Sequence, residues 1–255
     1  MSTIANFRGT FMSGIAVFIH LAGAVALLLW ATRMVRTGIE RAYGGVLKDK
    51  LRHAVGNRFS AAFAGFLFAV ALQSATAVAL IVSSFSAAGY VLPAIGVATL
   101  LGADFGSAFV VRILRYDLSL LVPVLLLAGT VAFRTSEARG WRQIGRILFG
   151  LGLLLLSLRL IGEASEPLRE SRILPVLFNY LASDWISAFA LAALLAWAFH
   201  SSVAAVLLVA SLADQHLLPD ALIIPLVLGI NFGAAIIAAL LTKNAAPNAR
   251  IVPLG

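Results

Sequence analysis

Two apolar runs in this chain have lengths that a bilayer cannot take in the ordinary way, and that mismatch constrains the fold more than any other feature. A hydrocarbon core of about 30 Å is crossed by about 20 helical residues, each rising about 1.5 Å. Phe11 to Thr32, Val91 to Val111, Ile144 to Gly162 and Leu217 to Leu241 each fit one crossing, and Leu118 to Phe133 fits a short one. Phe59 to Ala88 and Trp185 to Leu212 are each about half as long again as a crossing. That is too long for one upright helix and too short for two crossings plus a turn. A pair of half-helices that reaches the midplane and returns fits both; a single strongly tilted helix is the alternative.

Composition agrees that lipid is the solvent. Apolar residues make up 61% and charged residues 12%, against about 45–50% and roughly 25% in soluble domains. A water-soluble globule and a disordered chain are both excluded. With no cysteine there is no disulfide scaffold, thiolate metal site or cysteine nucleophile. The net charge of +8 comes from Lys and Arg lying mostly between the apolar runs, so it is topological and does not point to nucleic acid. The first run is of spanning length with no clear small-residue cleavage site after it, so a transmembrane helix is expected there rather than a signal peptide.

The chain also matches itself. Gln73-Ser74 aligns with His200-Ser201, and Gly102-Ala103-Asp104-Phe105-Gly106 aligns with Gly229-Ile230-Asn231-Phe232-Gly233. The displacement from 73 to 200 is the same as that from 102 to 229. Residues 60–108 laid on 187–235 give 16 identities in 49 positions without a gap. Chance matches of Ala and Leu would not put both polar-plus-glycine clusters in one frame, so duplication is expected, with residues 1–135 as the first membrane repeat and 136–255 as the second.

Charge orients the halves. The segment 33–58 carries Arg33, Arg36, Arg41, Lys48, Lys50, Arg52 and Arg58 against Glu40 and Asp49; its counterpart 163–184 carries Arg169 and Arg172 against Glu163, Glu166, Glu170 and Asp184. By the positive-inside rule the first is a cytoplasmic loop and the second is not, which makes the repeats inverted and requires an odd number of crossings between them. If Phe59 to Ala88 is re-entrant the count is three, and Arg134, Arg139, Arg142 and Arg146 also fall inside; Arg112 and Arg115 fall on the disfavoured side. The expected fold is an all-α integral membrane protein of two inverted-topology repeats, each with a re-entrant helical hairpin.

Both long runs are polar at their midpoints, at Gln73-Ser74-Ala75-Thr76 and His200-Ser201-Ser202. Unpaired polar groups at membrane depth are costly, so broken helices belong where they face a cavity. Two half-helix tips meeting there present N-terminal amides that favour an anion, C-terminal carbonyls that favour a cation, and neutral oxygen ligands suited to a hard cation. That combination fits an ion-coupled anion carrier, although Ser and Thr also glue helices together in bundles. Asp104 lies deep in its apolar run, where a carboxylate marks a functional site or a neutral interhelical hydrogen bond. His20 reads as an interhelical histidine, and Arg159 snorkels from near a helix end.

On these motifs, present in both halves, the chain from about residue 14 to 241 resembles the type II sodium-dependent phosphate cotransporter family. That family carries a Gln-Ser-Ser-Ser signature on a re-entrant hairpin in each of two inverted repeats, followed by a Gly-Ala-Asn-Ile-Gly-Thr-Thr-like stretch. The resemblance implies sodium-coupled uptake of inorganic phosphate by alternating access in a multi-pass protein of the cell (inner) membrane. Gln73, Ser74 and Thr76 match the first signature, with Ala75 in place of a serine; Ser201 and Ser202 match the second, with His200 for the glutamine and Val203 for the last serine. Asp104 stands where Asn is usual, and Asn231 keeps it. The implied substrate and ion site is therefore Gln73, Ser74, Ala75, Thr76, Asp104, His200, Ser201, Ser202 and Asn231, with sodium held by Gln73, Ser74, Thr76, Ser201 and Ser202. Sodium is the coupling ion and there is no further cofactor. The substitutions remove hydroxyls and add titratable groups, which leaves another small anion or proton coupling open. The counterpart of Leu118 to Phe133 would begin near residue 245, where the chain reads Ala-Ala-Pro-Asn-Ala-Arg; the expectation is a second repeat without its last helix, in a fragment of a longer protein.

An enzyme is disfavoured. His200 and Ser201 are neighbours that point about 100° apart on a helix, and no second buried Asp forms a dyad with Asp104. A channel or a membrane assembly protein remains the competing class. Because the chain has no cysteine, Ala88→Cys reports topology cleanly: with a re-entrant first hairpin, a membrane-impermeant thiol reagent labels it from the cytoplasmic side, whereas labelling only from outside would restore the tilted helix.

Overall fold

The computed structural model describes residues 2–54, 57–116, 118–135, 139–171 and 173–243. The expected missing last helix falls on 244–255 and lies outside them. The described residues form α1 (Ser2–Ala54), α2 (Arg58–Leu72), α3 (Ala75–Ala87), α4 (Pro93–Leu114), α5 (Leu121–Thr135), α6 (Arg139–Ser165), α7 (Ile173–Ser183), α8 (Trp185–Phe199), α9 (Ser202–Asp214) and α10 (Asp220–Leu241), with a 3-10 turn at Glu166–Glu170. Four stretches are long and apolar enough to cross a bilayer: Gly14–Val46, Pro93–Leu114, Gly140–Arg169 and Asp220–Leu241. The molecule is an all-helical membrane protein. At 15 residues α5 falls short of that length.

Neither over-long run is one helix. The first breaks between α2 and α3 and the second between α8 and α9. Every bound of α2, α3 and α4 reappears in α8, α9 and α10 at the displacement that carries Gln73 onto His200. The starts repeat as well. Asn57 caps α2 by accepting from the Ser60 amide at 2.8 Å, and Asp184 caps α8 by accepting from the Ser187 amide at 3.3 Å.

Glycines then determine how each unit closes. On α4, Gly102 sits against the Ala62 carbonyl and Gly106 against the Phe66 carbonyl; on α10, Gly229 sits against the Phe189 carbonyl and Gly233 against the Ala193 carbonyl. In each pair the contact residues rise together, so α4 runs in the same direction as α2, and α10 as α8. The chain between them has therefore come back to the end from which it started, as a hairpin requires. By the same test α1 and α6 are antiparallel, since Gly38 meets Ile147 and Gly150 meets Val35. Each hairpin unit has its own core, Ala61, Ala64, Val78 and Val82 in one and Ala188, Ala192, Ala205 and Val209 in the other. A central cluster of Leu28, Leu114, Leu154 and Leu207 joins both to α1 and α6.

Two expectations are corrected. The first helix does not end at Thr32 with a basic loop after it; α1 runs 53 residues to Ala54. The segment 33–54 contains no proline, and its Arg, Lys and Glu residues are good helix formers, so charge changes the face the helix shows without ending it. The acidic segment 163–184, expected as a loop, contains the end of α6, the 3-10 turn and α7, and the apolar stretch of α7 meets α8 at 106°.

A methyl group at residue 102 would strike the Ala62 carbonyl, whereas one at residue 44 meets nothing within 4 Å. Gly102→Ala should therefore destabilise by about 1–3 kcal/mol through overpacking, while Gly44→Ala should be neutral or stabilise by up to about 1 kcal/mol through helix propensity. Thermal unfolding in detergent reads both signs.

Candidate functional site

The two hairpin tips are built alike although their sequences differ. Gln73 ends α2 in the left-handed conformation (φ 51°, ψ 36°), and His200 ends α8 in the same one (φ 51°, ψ 27°). Neither is glycine, so each accepts roughly 1–2 kcal/mol of backbone strain. The next residue turns extended and caps the following helix: the Ser74 hydroxyl accepts from the Ala77 amide at 3.1 Å, and the Ser201 hydroxyl from the Ala204 amide at 3.2 Å. A serine suits this position because its oxygen satisfies an amide that has no partner within the helix.

The tips meet at one cavity of about 710 Å³, where Gln73 and Ser74 from the first and Ala198 to Ser201 from the second share the wall with α1. The Gln73 Oε1 atom is buried without a hydrogen-bond partner. The His200 ring stands 6.3 Å from that of Trp197, with Nδ1 3.3 Å from the Ala198 carbonyl oxygen. The first turns of α3 and α9 begin at this wall, so their leading amides and the positive ends of their dipoles lie beside the cavity, as do the last carbonyls of α2 and α8.

Of the expected site residues, Gln73, Ser74, His200 and Ser201 line this cavity. Ala75, Thr76 and Ser202 lie one or two residues inside the helices, Ala75 and Ser202 buried and Thr76 half-buried, and do not line it. Asp104 and Asn231 are outside it and exposed, between exposed Leu101 and Phe105 on α4 and between Leu228 and Phe232 on α10. The glycines explain why. Gly102 and Gly106 face α2, and at about 100° per residue the residue midway between them faces the opposite way; Asn231 stands likewise between Gly229 and Gly233.

The third wall of the cavity went unrecognised in the sequence. Thr32, Arg33, Arg36, Thr37 and Glu40 of α1 line it together with Trp30, and Arg36 Nε donates to Glu40 Oε1 at 2.9 Å. A signal was available: residues 26, 29, 30, 33, 37 and 40 continue the helical period of the apolar run into the charged segment.

A second cavity, of about 560 Å³, lies where α4 and α9 end. There Arg115 forms a two-point ion pair with Asp214, its Nε donating to Oδ2 at 3.2 Å, and ties the first hairpin unit to the second across a long separation in sequence.

The Na+/Pi-cotransporter family model matches residues 27–163, from α1 through most of α6. A protein of Escherichia coli (strain K12), named "Putative inorganic phosphate export protein YjbB", is 38% identical over 237 residues, which is 93% of this chain and 44% of that one. The protein of the same name in Salmonella typhimurium is likewise 38% identical over 237 residues, with the same coverage. "Uncharacterized protein YqeW" of Bacillus subtilis (strain 168) is 24% identical over 223 residues, 87% of this chain and 72% of that one. The chain thus spans less than half the length of the first two of these relatives. No solved structure matches.

The tip geometry predicts opposite signs at adjacent residues. His200→Gly and Gln73→Gly should each raise stability by about 1 kcal/mol by removing left-handed strain, and Ser74→Ala and Ser201→Ala should each lower it by about 1 kcal/mol through loss of the cap. Thermal unfolding that moves the same way for all four would show that the caps do not govern the tips.

Proposed function

Because the chain belongs to the Na+/Pi-cotransporter family, we propose that it forms the substrate-handling part of a secondary transporter that moves inorganic phosphate together with sodium, by alternating access at the cavity between the hairpin tips. One observation carries the proposal: two tips of the same construction, one from each copy of the repeated sequence, contribute to a single cavity. In this proposal the hairpins are re-entrant, residues 1–135 and 136–255 are inverted repeats, and the basic end of α1 is cytoplasmic. The antiparallel course of α1 and α6 and the return of each hairpin to its starting end support that arrangement.

The chemistry of the wall supports both cargoes. Helix N-termini favour an oxyanion through unsatisfied amides and the dipole. Sodium is a hard cation that takes oxygen ligands, and the unpartnered Gln73 Oε1 is such an oxygen, on a residue that shares the cavity wall with Ser74 and Ser201. These cavity residues carry the proposal; Asp104 and Asn231, which face away, do not. For access to alternate, the two hairpin units must move relative to one another. The Arg115–Asp214 ion pair would then hold one end of the pathway closed while the tip cavity is open at the other.

Direction follows the driving forces. An inward sodium gradient pulls phosphate in, while a membrane potential of 100 mV contributes about 2.3 kcal/mol per charge to the exit of net negative charge. The relatives named for export make outward flux a proposal for this chain too. A second reading has its own observation: His200, a titratable group, occupies the slot of Gln73 in the cavity, which suits proton coupling.

In proteoliposomes of the full-length protein, labelled phosphate should follow an imposed sodium gradient in whichever direction it is applied. Equal flux with choline in place of sodium would sink sodium coupling, and flux that then follows a pH gradient would establish the second reading.

A further inference from the structure

The cavity between the tips carries formal charge that neither hairpin tip supplies as a fixed ion. Trp30, Arg33, Thr37 and Glu40 follow one another on α1 at steps of three or four residues, so a continuous stripe of that helix faces Gln73 and His200. Arg36 is paired with Glu40 at 2.9 Å, and both side chains are more than one-third exposed (35% and 43%). Arg33 has no ion-pair partner among the described residues.

Resting on the phosphate-transport proposal above, we infer that Arg33 is the specificity-determining cation of the oxyanion site, and that Glu40 weakens the site by holding Arg36 in an ion pair. Two helix N-termini contribute roughly half a charge each, and the serine hydroxyls contribute none. Near neutral pH inorganic phosphate carries between one and two negative charges, so the tips alone leave part of that charge uncompensated. A guanidinium remains charged throughout that range and presents a planar fork of donors that matches two phosphate oxygens at once. Arg33 is placed to do this because α1 stays helical past Thr32, which keeps the side chain on the cavity stripe. Exposed ion pairs such as Arg36–Glu40 are weak, so an entering oxyanion can draw Arg36 away from Glu40 at small cost.

Equilibrium binding of labelled inorganic phosphate to the purified full-length protein in detergent, at fixed ionic strength and at pH values on either side of the second ionisation of phosphate, tests the assignment. Arg33→Gln should weaken binding by about ten- to a hundredfold, the value of a hydrogen-bonded charge, and should abolish the preference for the dianion. Arg33→Lys should recover part of the affinity, because it keeps the charge and loses the fork. Glu40→Gln should tighten binding, a sign that misfolding cannot produce. Unchanged affinity and pH dependence in Arg33→Gln, with the unsubstituted protein binding phosphate, would overturn the inference and leave the transport proposal standing. No binding by the unsubstituted protein would overturn both. Label displaced at lower concentration by a soluble anionic phospholipid than by inorganic phosphate would assign the site to a lipid headgroup and overturn it as well.

Discussion

A helix that stops inside an apolar run exposes amides and carbonyls that hydrocarbon cannot solvate, and each such group costs several kcal/mol when left alone. The rest of this structure depends on how the chain answers that demand at residues 73–74 and 200–201. One residue adopts the left-handed conformation and the next, a serine, turns extended and caps the new helix. The cap satisfies one amide at each tip. Beyond the caps, the first turns pack into apolar clusters through Ala75 and Ala77 in one unit and Val203 and Ala204 in the other, while Gln73, Ser74, His200 and Ser201 line the cavity.

The glycine contacts turn two broken helices into two hairpin units. With no Cβ at 102 and 106, or at 229 and 233, α4 and α10 lie directly on the backbones of α2 and α8. Packing this close is how membrane helices associate when lipid supplies no hydrophobic driving force between them. It also turns Asp104 and Asn231 away from the helix their neighbouring glycines touch, so the polar residue that looks central in the sequence stands on the outer face of its unit.

The long α1 connects structure to function in the proposed cycle. Its apolar half packs against α6 through Ala24, Leu28 and Ala31, and its charged half brings Arg33, Arg36 and Glu40 to the cavity wall. The segment that anchors the scaffold is therefore the one that charges the site. The Arg115–Asp214 pair bridges the two units at the ends of α4 and α9, so the two cavities have different electrostatic surroundings.

By itself the sequence determined that lipid is the solvent, and it marked two runs as too long for one upright helix, each with a serine near its middle, because bilayer thickness, helix rise and the position of a serine within an apolar run are local quantities. It also carried the internal match, since a constant displacement between matching motifs can be counted without coordinates, and with it Gln73, Ser74, His200 and Ser201 as candidate tip residues. Only the tertiary structure decided which polar groups share a space. Arg33 and Asp104 illustrate the difference: both are charges beside or within apolar runs, and a linear sequence marks Asp104 as the deeper and more costly of the two. Both side chains are exposed, but orientation reverses that order, because the glycine contacts on α2 turn Asp104 away from the cavity while the unbroken course of α1 leaves Arg33 on its wall. Which way a helix faces depends on the neighbour it packs against, and that neighbour is set by the chain as a whole.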